Sequence, residues 1–203
     1  MSRNITMQFK EYSVQEMNPR CEWAKETIEI NYHDKEWGVP LHNDKKLFEF
    51  LVLEGMQAGL SWRIILRKRE DFRKAFDNFR VQKIANYDKM KIEQLCSNSS
   101  IIRNRKKIEA AIINANAFLE IQKEFGSFDT YIWNFVSHKP IQNSWKSYKE
   151  VPSMTQESDL ICKDLRKRGF KLIGSKICYS MMQAIGMVND HTIDCFRYRE
   201  LSN

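Results

Sequence analysis

The sequence predicts an all-α protein, and three observations carry that prediction. Apolar residues recur at helical spacing in one segment after another from Asp44 onward. Stretches that alternate apolar and polar residues, the mark of a half-buried strand, are nearly absent. Only seven Gly and four Pro occur in 203 residues, too few for a many-turned all-β chain. That length sets an expectation of one domain with a core of its own. Residues 1–17 read as a polar N-terminal extension and residues 18–203 as the domain.

The elements follow in chain order. Asp44 is placed to cap a helix through KKLFEFLVLEG, with Leu47, Phe48, Leu51 and Val52 on one face and Gly55 beyond. Ser61 opens the next, WRIILRKREDFRKAF, where Trp62, Ile65, Leu66, Phe72 and Phe76 recur at helical intervals. Asp88 opens a short helix ending near Cys96, and the SNSS run at 97–100 breaks it. Ile101 then starts the longest helix, which ends at Phe125 before Gly126. Ser127 begins another through Tyr131, Trp133 and Phe135, and residues 138–154, with two prolines, read as a connection. Ser158 caps DLICKDLRKRG, closed by Gly169, and SKICYSMMQAIG at 175–186 is the last core helix. There is no internal repeat.

Lys and Arg total 33 against 26 Asp and Glu, a formal charge of +7. A basic excess suits a nucleic-acid partner without requiring one. The N-terminus lacks an apolar signal region, and no run approaches the roughly 18 apolar residues of a membrane span. The best run, 48–53, is interrupted by Glu49 and followed by Glu54. Five scattered cysteines make a poor disulfide framework and fit a reducing cytoplasm, the expected location. Of these, Cys96, Cys162 and Cys178 sit among apolar helical positions and read as small core residues.

Cys21 and Cys195 differ, because each has a histidine nearby in sequence. In His191-Thr-Ile-Asp-Cys195, helical i,i+4 spacing would put an imidazole and a thiolate on one face. Cys21 and His33 form a second pair at the other end of the chain. Two Cys and two His suit tetrahedral Zn²⁺, and four protein ligands leave no open position. Such an ion would be structural and would staple the two chain ends together. The spacing matches no zinc-finger pattern, and two unrelated Cys/His neighbours on apolar faces are the alternative.

Aromatics crowd the same region: Trp23, Tyr32, Trp37 and Trp62, with Glu54 at the end of an apolar helix between them. Ring faces plus one carboxylate make a box for a flat, cationic or amine-bearing ring. The plainer alternative is core tryptophans and a surface acid. Three basic clusters also stand out, and each would ordinarily be a solvated helix face: Arg103, Arg105, Lys106 and Lys107; Arg63, Arg67, Lys68 and Arg69; Lys163, Arg166, Lys167, Arg168 and Lys171. The first follows a tight turn between two helices, where backbone N–H groups bind phosphate. Residues 88–125 are a helix-hairpin-helix in outline.

RCEW (20–23), YHDKEWGVP (32–40), KKLFEFLVLEGMQAGLSW (45–62), IIRNRKKI (101–108), KRGFKLIG (167–174) and ICYSMMQAIGMVNDH (177–191), with Cys195, together resemble the 3-methyladenine DNA glycosylase I family. The resemblance spans residues 19–196. It implies an all-helical, helix-hairpin-helix glycosylase-like bundle with one structural zinc joining the N- and C-terminal segments through Cys21, His33, His191 and Cys195. It implies a monofunctional DNA repair hydrolase without lyase activity, which flips 3-methyladenine out of double-stranded DNA and cuts its N-glycosidic bond. A monomer is expected. Glu54 becomes the catalytic carboxylate at the base edge, either assisting water or only recognising the base, with Tyr32, Trp62 and Trp23 around the ring. Gly59 and Leu60, in the loop 57–60, would fill the gap in the duplex, while Ser100, Arg103, Arg105 and Lys106 would face the DNA backbone.

Two departures from the family pattern stand out. Ser100 replaces a glycine before Ile-Ile of the hairpin, and Glu29 replaces an aromatic that family members can show three residues before the pocket tyrosine. They motivate an alternative: a zinc-stapled module that binds damaged or abasic DNA without catalysis.

Overall fold

The computed structural model describes residues 19–202; the expected extension at 1–17 lies outside them. Ten α-helices occur among the described residues: α1 (Thr27–Lys35), α2 (Asp44–Gln57), α3 (Trp62–Ala75), α4 (Val81–Ile84), α5 (Lys89–Ser97), α6 (Arg105–Phe125), α7 (Phe128–Trp133), α8 (Gln156–Lys167), α9 (Ser175–Ala184) and α10 (Phe196–Glu200). The only strands described are β1 (Ile141–Gln142) and β2 (Val188–Asn189), which pair in parallel and tie the expected connection to the segment after α9. The all-α expectation therefore holds, with one short ladder added. None of these helices is long and apolar enough to cross a membrane.

α2 is the axis of the fold. Its residues from Leu47 to Glu54 are buried without interruption, so it is covered on every side, as a helix must be when it lies inside a core. α3, α6, α7 and α9 surround it, and α8 packs along α9. Burying every face also buries two acids, Glu49 and Glu54, and their contrasting environments define the site below.

Helix starts depart from the expected ones where tertiary partners claim the capping residue. Asn43 caps α2 by accepting from Lys46 N at 3.1 Å. Asp44 is instead the first helical residue, and its carboxylate accepts from the N–H groups of Phe128 and Asp129 at 2.9 and 2.8 Å, capping the start of α7 from a distance. α6 begins at Arg105 behind Asn104, which accepts from Lys107 N, while Ile101 is buried in the preceding turn rather than helical. Thr155 caps α8, and Ser158 completes a reciprocal capping box at the third helical position. Asp88 caps α5 and Ser127 caps α7 as the sequence predicts. Ser61 holds the N-cap position of α3 without a side-chain cap bond. Cys162 and Cys178 are buried, whereas Cys96 is half-buried.

α1 was not foreseen from periodicity, because its nine residues carry a weak apolar face. Its start is set by polar chemistry: Glu29 accepts from Glu26 N at 3.1 Å in a capping box. The segment after α1 is laid against the end of α9, with Gly38 N donating to Gln183 O and Leu41 N to Ile185 O, each at 3.0 Å. Gly186 permits this approach. At φ +73° it turns left-handed, and a Cβ there would sit 2.4 Å from the backbone of Val39 and Pro40.

Candidate active site and metal centre

Cys21, His33, His191 and Cys195 meet with all four ligand atoms within 4.8 Å of one another, and all four residues are buried. Helical spacing does not bring the last two together: residues 191–195 form a turn closed by Cys195 N to Thr192 O at 2.8 Å, and Cys195 is the N-cap of α10. Separations of 3.4 Å (Cys195 Sγ to His33 Nε2), 3.5 Å (Cys195 Sγ to His191 Nδ1), 3.5 Å (Cys21 Sγ to His191 Nδ1) and 3.2 Å (His33 Nε2 to His191 Nδ1) describe a compact cage. Ligands at about 2.0–2.3 Å on a tetrahedral ion would be spaced about 3.3–3.8 Å apart, so the donor set and its spacing fit such an ion closely.

The outer contacts set both imidazoles for this task. His33 Nδ1 contacts Asp34 Oδ1 at 2.7 Å, and Arg20 holds the same carboxylate through two nitrogens. The His33 Nε2 lone pair is thereby turned inward. His191 Nε2 contacts the Trp37 carbonyl at 3.1 Å, turning Nδ1 inward. A carboxylate or carbonyl behind each ligating histidine is the usual support of a metal site. The hydrogen bond between the two thiols draws Cys195 well down from its ordinary range and pushes Cys21 up, so one thiolate stands beside one thiol.

Beside this cage lies a cavity of about 400 Å³. Trp23 joins the two, its ring 5.4 Å from His33 and 6.2 Å from Tyr32. Tyr32 in turn lies 5.6 Å from Trp62, so three of the expected base-binding aromatics form one wall. Trp37 also lines the cavity.

The two acids of α2 separate here. Glu49, 5% exposed, is filled by guanidinium groups: Arg69 Nε at 2.6 Å and Arg73 at 2.7 and 3.0 Å. Glu54, 4% exposed, lines the cavity, and its Oε2 has no hydrogen-bond partner. Burial without a partner pushes its carboxyl up to about 8. Trp62 Nε1, in the same wall, is likewise buried and unpartnered. Burial, and next the charge of Glu54, raise the Tyr32 phenol well above its ordinary value, so it stays a neutral hydroxyl. A buried acceptor and a buried donor without protein partners thus border one cavity, the arrangement of a polar recognition site.

Glu29 lines the same cavity but is occupied. Arg63 donates to it through Nε at 2.9 Å and Nη2 at 3.2 Å, and the N–H groups of Lys25 and Glu26 donate as well. Burial works to raise its pKa, but the bond from Arg63 and then the backbone bonds bring it below the ordinary range, so it is a paired carboxylate. Arg63 also reaches Glu26, which binds Arg67 as well. This ion network neutralises Arg63 and Arg67 of the second basic cluster, and Arg69 is paired separately with Glu36 and Glu49.

The loop after α2 holds Gly59 and Leu60, the residues expected to fill the duplex gap. Gly59 has φ +81°, and Leu60 is an exposed apolar side chain. Lys107 does not point outward with its cluster: its Nζ donates to the carbonyls of Met56 and Ala58 at 2.9 and 2.6 Å, tying the start of α6 to this loop. Arg105 is paired with Glu93 at 2.6 Å, whereas Arg103 and Lys106 make no ion pair among the described residues. Ser100 is not left-handed, so the turn between α5 and α6 does not require glycine for conformation; Lys68 Nζ donates to its carbonyl at 2.9 Å.

Six cavity residues were not read as such in the sequence: Gln57 and Ser61, taken as loop and cap residues, Arg63 from the basic cluster, Tyr148 from the connection, and Ser180 and Gln183 from α9. The last two left a signal, since they are polar interruptions three residues apart in an otherwise apolar helix. Tyr148 left none.

Comparison with known proteins points to one family. The methyladenine glycosylase family matches residues 23–198. A DNA-3-methyladenine glycosylase of Haemophilus influenzae is 47% identical over 180 residues, covering 88% of this chain and 97% of that protein. DNA-3-methyladenine glycosylase 1 of Escherichia coli is 46% identical over 180 residues, covering 88% and 96%. A crystal structure of 3-methyladenine DNA glycosylase I, 46% identical, superposes with a TM-score of 0.86 over 88% of this chain and 98% of the other. Another, 34% identical and in complex with 3-methyladenine, gives 0.83 over 85% and 92%.

Proposed function

Because the chain belongs to the methyladenine glycosylase family, we propose that it is a DNA repair hydrolase that excises 3-methyladenine from alkylated double-stranded DNA, acting as a monomer in base excision repair. One observation carries this reading beyond the family: the buried, unpartnered carboxyl of Glu54 in an aromatic cavity of base size.

N3 alkylation makes the adenine cationic, and the base departs neutral, so the glycosidic bond needs little help from a general acid. The protein's task is to hold the flipped base. Tyr32 and Trp62 supply ring faces, and Trp23 closes the wall toward the metal cage. Glu54 adapts to the charge of its guest: empty, it is largely protonated at neutral pH, while a cationic base beside it favours the carboxylate. That carboxylate accepts N–H bonds at the base edge and steadies the oxocarbenium-like transition state that water captures. Among the described residues no lysine lines the cavity, which supports hydrolysis without an imine intermediate. Leu60, exposed at the loop tip, is suited to fill the vacated stack, and Arg103 and Lys106 are the free cations of the hairpin for the phosphates.

The cage is proposed as a structural zinc site held by Cys21, His33, His191 and Cys195. When bound, zinc supplies a cross-link between the chain's two ends and, with four protein ligands, no Lewis-acid chemistry. Of the departures behind the non-catalytic alternative, Glu29 is paired with Arg63 and adds no free carboxylate to the cavity, whereas Ser100 places a side chain where the hairpin backbone would approach a phosphate.

The test is product release. Purified protein incubated with methylated DNA should free 3-methyladenine far faster than 7-methylguanine and leave unbroken abasic strands. Binding to abasic duplexes without any base release would instead establish the non-catalytic module.

A further inference from the structure

Asp190, buried next to His191, accepts four hydrogen bonds. Asn143 Nδ2 and Trp145 Nε1 donate to one oxygen at 2.7 and 2.8 Å, and Tyr179 Oη and Gln183 Nε2 donate to the other at 2.7 Å each. The indole N–H can only donate, and a carboxylate can only accept. The Gln183 corner facing Asp190 is therefore the NH₂ end, and its carbonyl oxygen occupies the opposite corner of the planar amide. Gln183 also lines the base cavity. Its amide is thus clamped at one end by a residue outside the cavity, and no group among the described residues donates to the other end.

We propose that Gln183 is a specificity residue that reads the group at purine position 6 through Oε1, and that Asp190 is the positioning residue that prevents the amide from turning over. This rests on the glycosylase reading and deepens it. Adenine carries an amine there, a donor that an acceptor oxygen satisfies. Guanine and hypoxanthine carry a carbonyl, which would set two acceptors against each other and leave both unpaired. Glu54 alone cannot make this distinction. A carboxyl that gains or loses its proton according to its guest can donate to a carbonyl as readily as it accepts from an amine. The clamped amide has no such freedom, so discrimination falls to it.

The probes are free 3-methyladenine and 3-methylhypoxanthine, the same ring with a carbonyl in place of the amine, titrated against tryptophan fluorescence. Wild-type protein should prefer 3-methyladenine by about tenfold or more, the usual value of one satisfied against one unsatisfied buried bond. Gln183→Met should weaken 3-methyladenine by about tenfold and 3-methylhypoxanthine little, collapsing the preference. A merely structural role would weaken both alike and leave the ratio unchanged, and that result overturns the proposal. Asp190→Asn, whose new N–H seeks an acceptor, should turn the amide over and move the preference toward 3-methylhypoxanthine. Because Asp190 adjoins the metal cage, the Gln183→Met ratio decides if this second variant does not fold. Wild-type protein that releases no 3-methyladenine from methylated DNA refutes the glycosylase reading itself; an active wild type with an unmoved Gln183→Met ratio refutes only this inference.

Discussion

Glu54→Gln should make the protein more stable and less active, and the stability gain should grow with pH. Burial places the folded-state value near 8 against an ordinary 4.5. The folded protein therefore holds this proton longer than the unfolded chain does. The protonated form's stability is fully present below pH 4.5 and is lost progressively as pH rises through 8. At about 1.4 kcal/mol per pH unit, the loss is about 1 kcal/mol at pH 5, about 3 at pH 7 and about 5 above pH 8. Glutamine keeps the shape and cannot ionise, so the variant should match the wild type near pH 4.5 and exceed it by those amounts above. For a chain of this size about 3 kcal/mol corresponds to about 6–12 °C in melting temperature at pH 7. Thermal denaturation followed by circular dichroism at pH 5, 7 and 8.5 measures it. Excision of 3-methyladenine by the same variant should fall severely, a cost in function set against a gain in stability. A difference in melting temperature that does not change with pH would refute the reasoning, as would a less stable variant at pH 8.5.

Three further outcomes are expected. Cys195→Ser should lose most of its zinc by elemental analysis and melt well below the wild type, by several kcal/mol, because a cage ligand is gone; full zinc retention would show that the cage is not the metal site. Lys107→Met should lower excision from duplex DNA by about tenfold while leaving the affinity for free 3-methyladenine unchanged, since it anchors the loop rather than the base; equal losses in both assays would count against that assignment. Arg103→Ala should reduce the slope of log affinity for DNA against log salt by about one, and Arg105→Ala by less because Glu93 already pairs it; equal slopes for the two variants would remove the distinction.

The all-α class was legible because α2, α3, α6 and α9 carry apolar periodicity strong enough to survive tertiary context. Helix starts were less legible. Asp44 is a good capping residue by type, yet its carboxylate serves α7, more than eighty residues away, and no local pattern records that choice. The four cage residues stood out by type as two Cys/His pairs, the family resemblance joined them into one set, and the fold brings all four together in a buried cluster. The reason first given for His191 and Cys195, a shared helix face, is replaced by a turn. Glu54 drew notice as an acid at the end of an apolar run, and the family resemblance supplied its role. What the sequence could not supply was its contrast with Glu49, which depends on where Arg69 and Arg73 point. Ser180 and Gln183 were hidden for a related reason, because an apolar helix with two polar residues reads first as core.

The meeting of Cys21 and His33 with His191 and Cys195 in one cage bears on how the protein is made. The base cavity takes Trp23, Glu29 and Tyr32 from the first part of the domain and Ser180 and Gln183 from the last, and Gly186 seats one against the other. During synthesis the early residues emerge with their cage half-filled: two ligands, one wall of aromatics, and no partner for either until His191 and Cys195 follow. Contacts across some 170 positions form late, because most of the chain must first be closed into a loop. An interrupted or truncated chain would thus have neither a complete metal cage nor a complete cavity, so base-cutting competence would arise only when the last turn of the domain is in place.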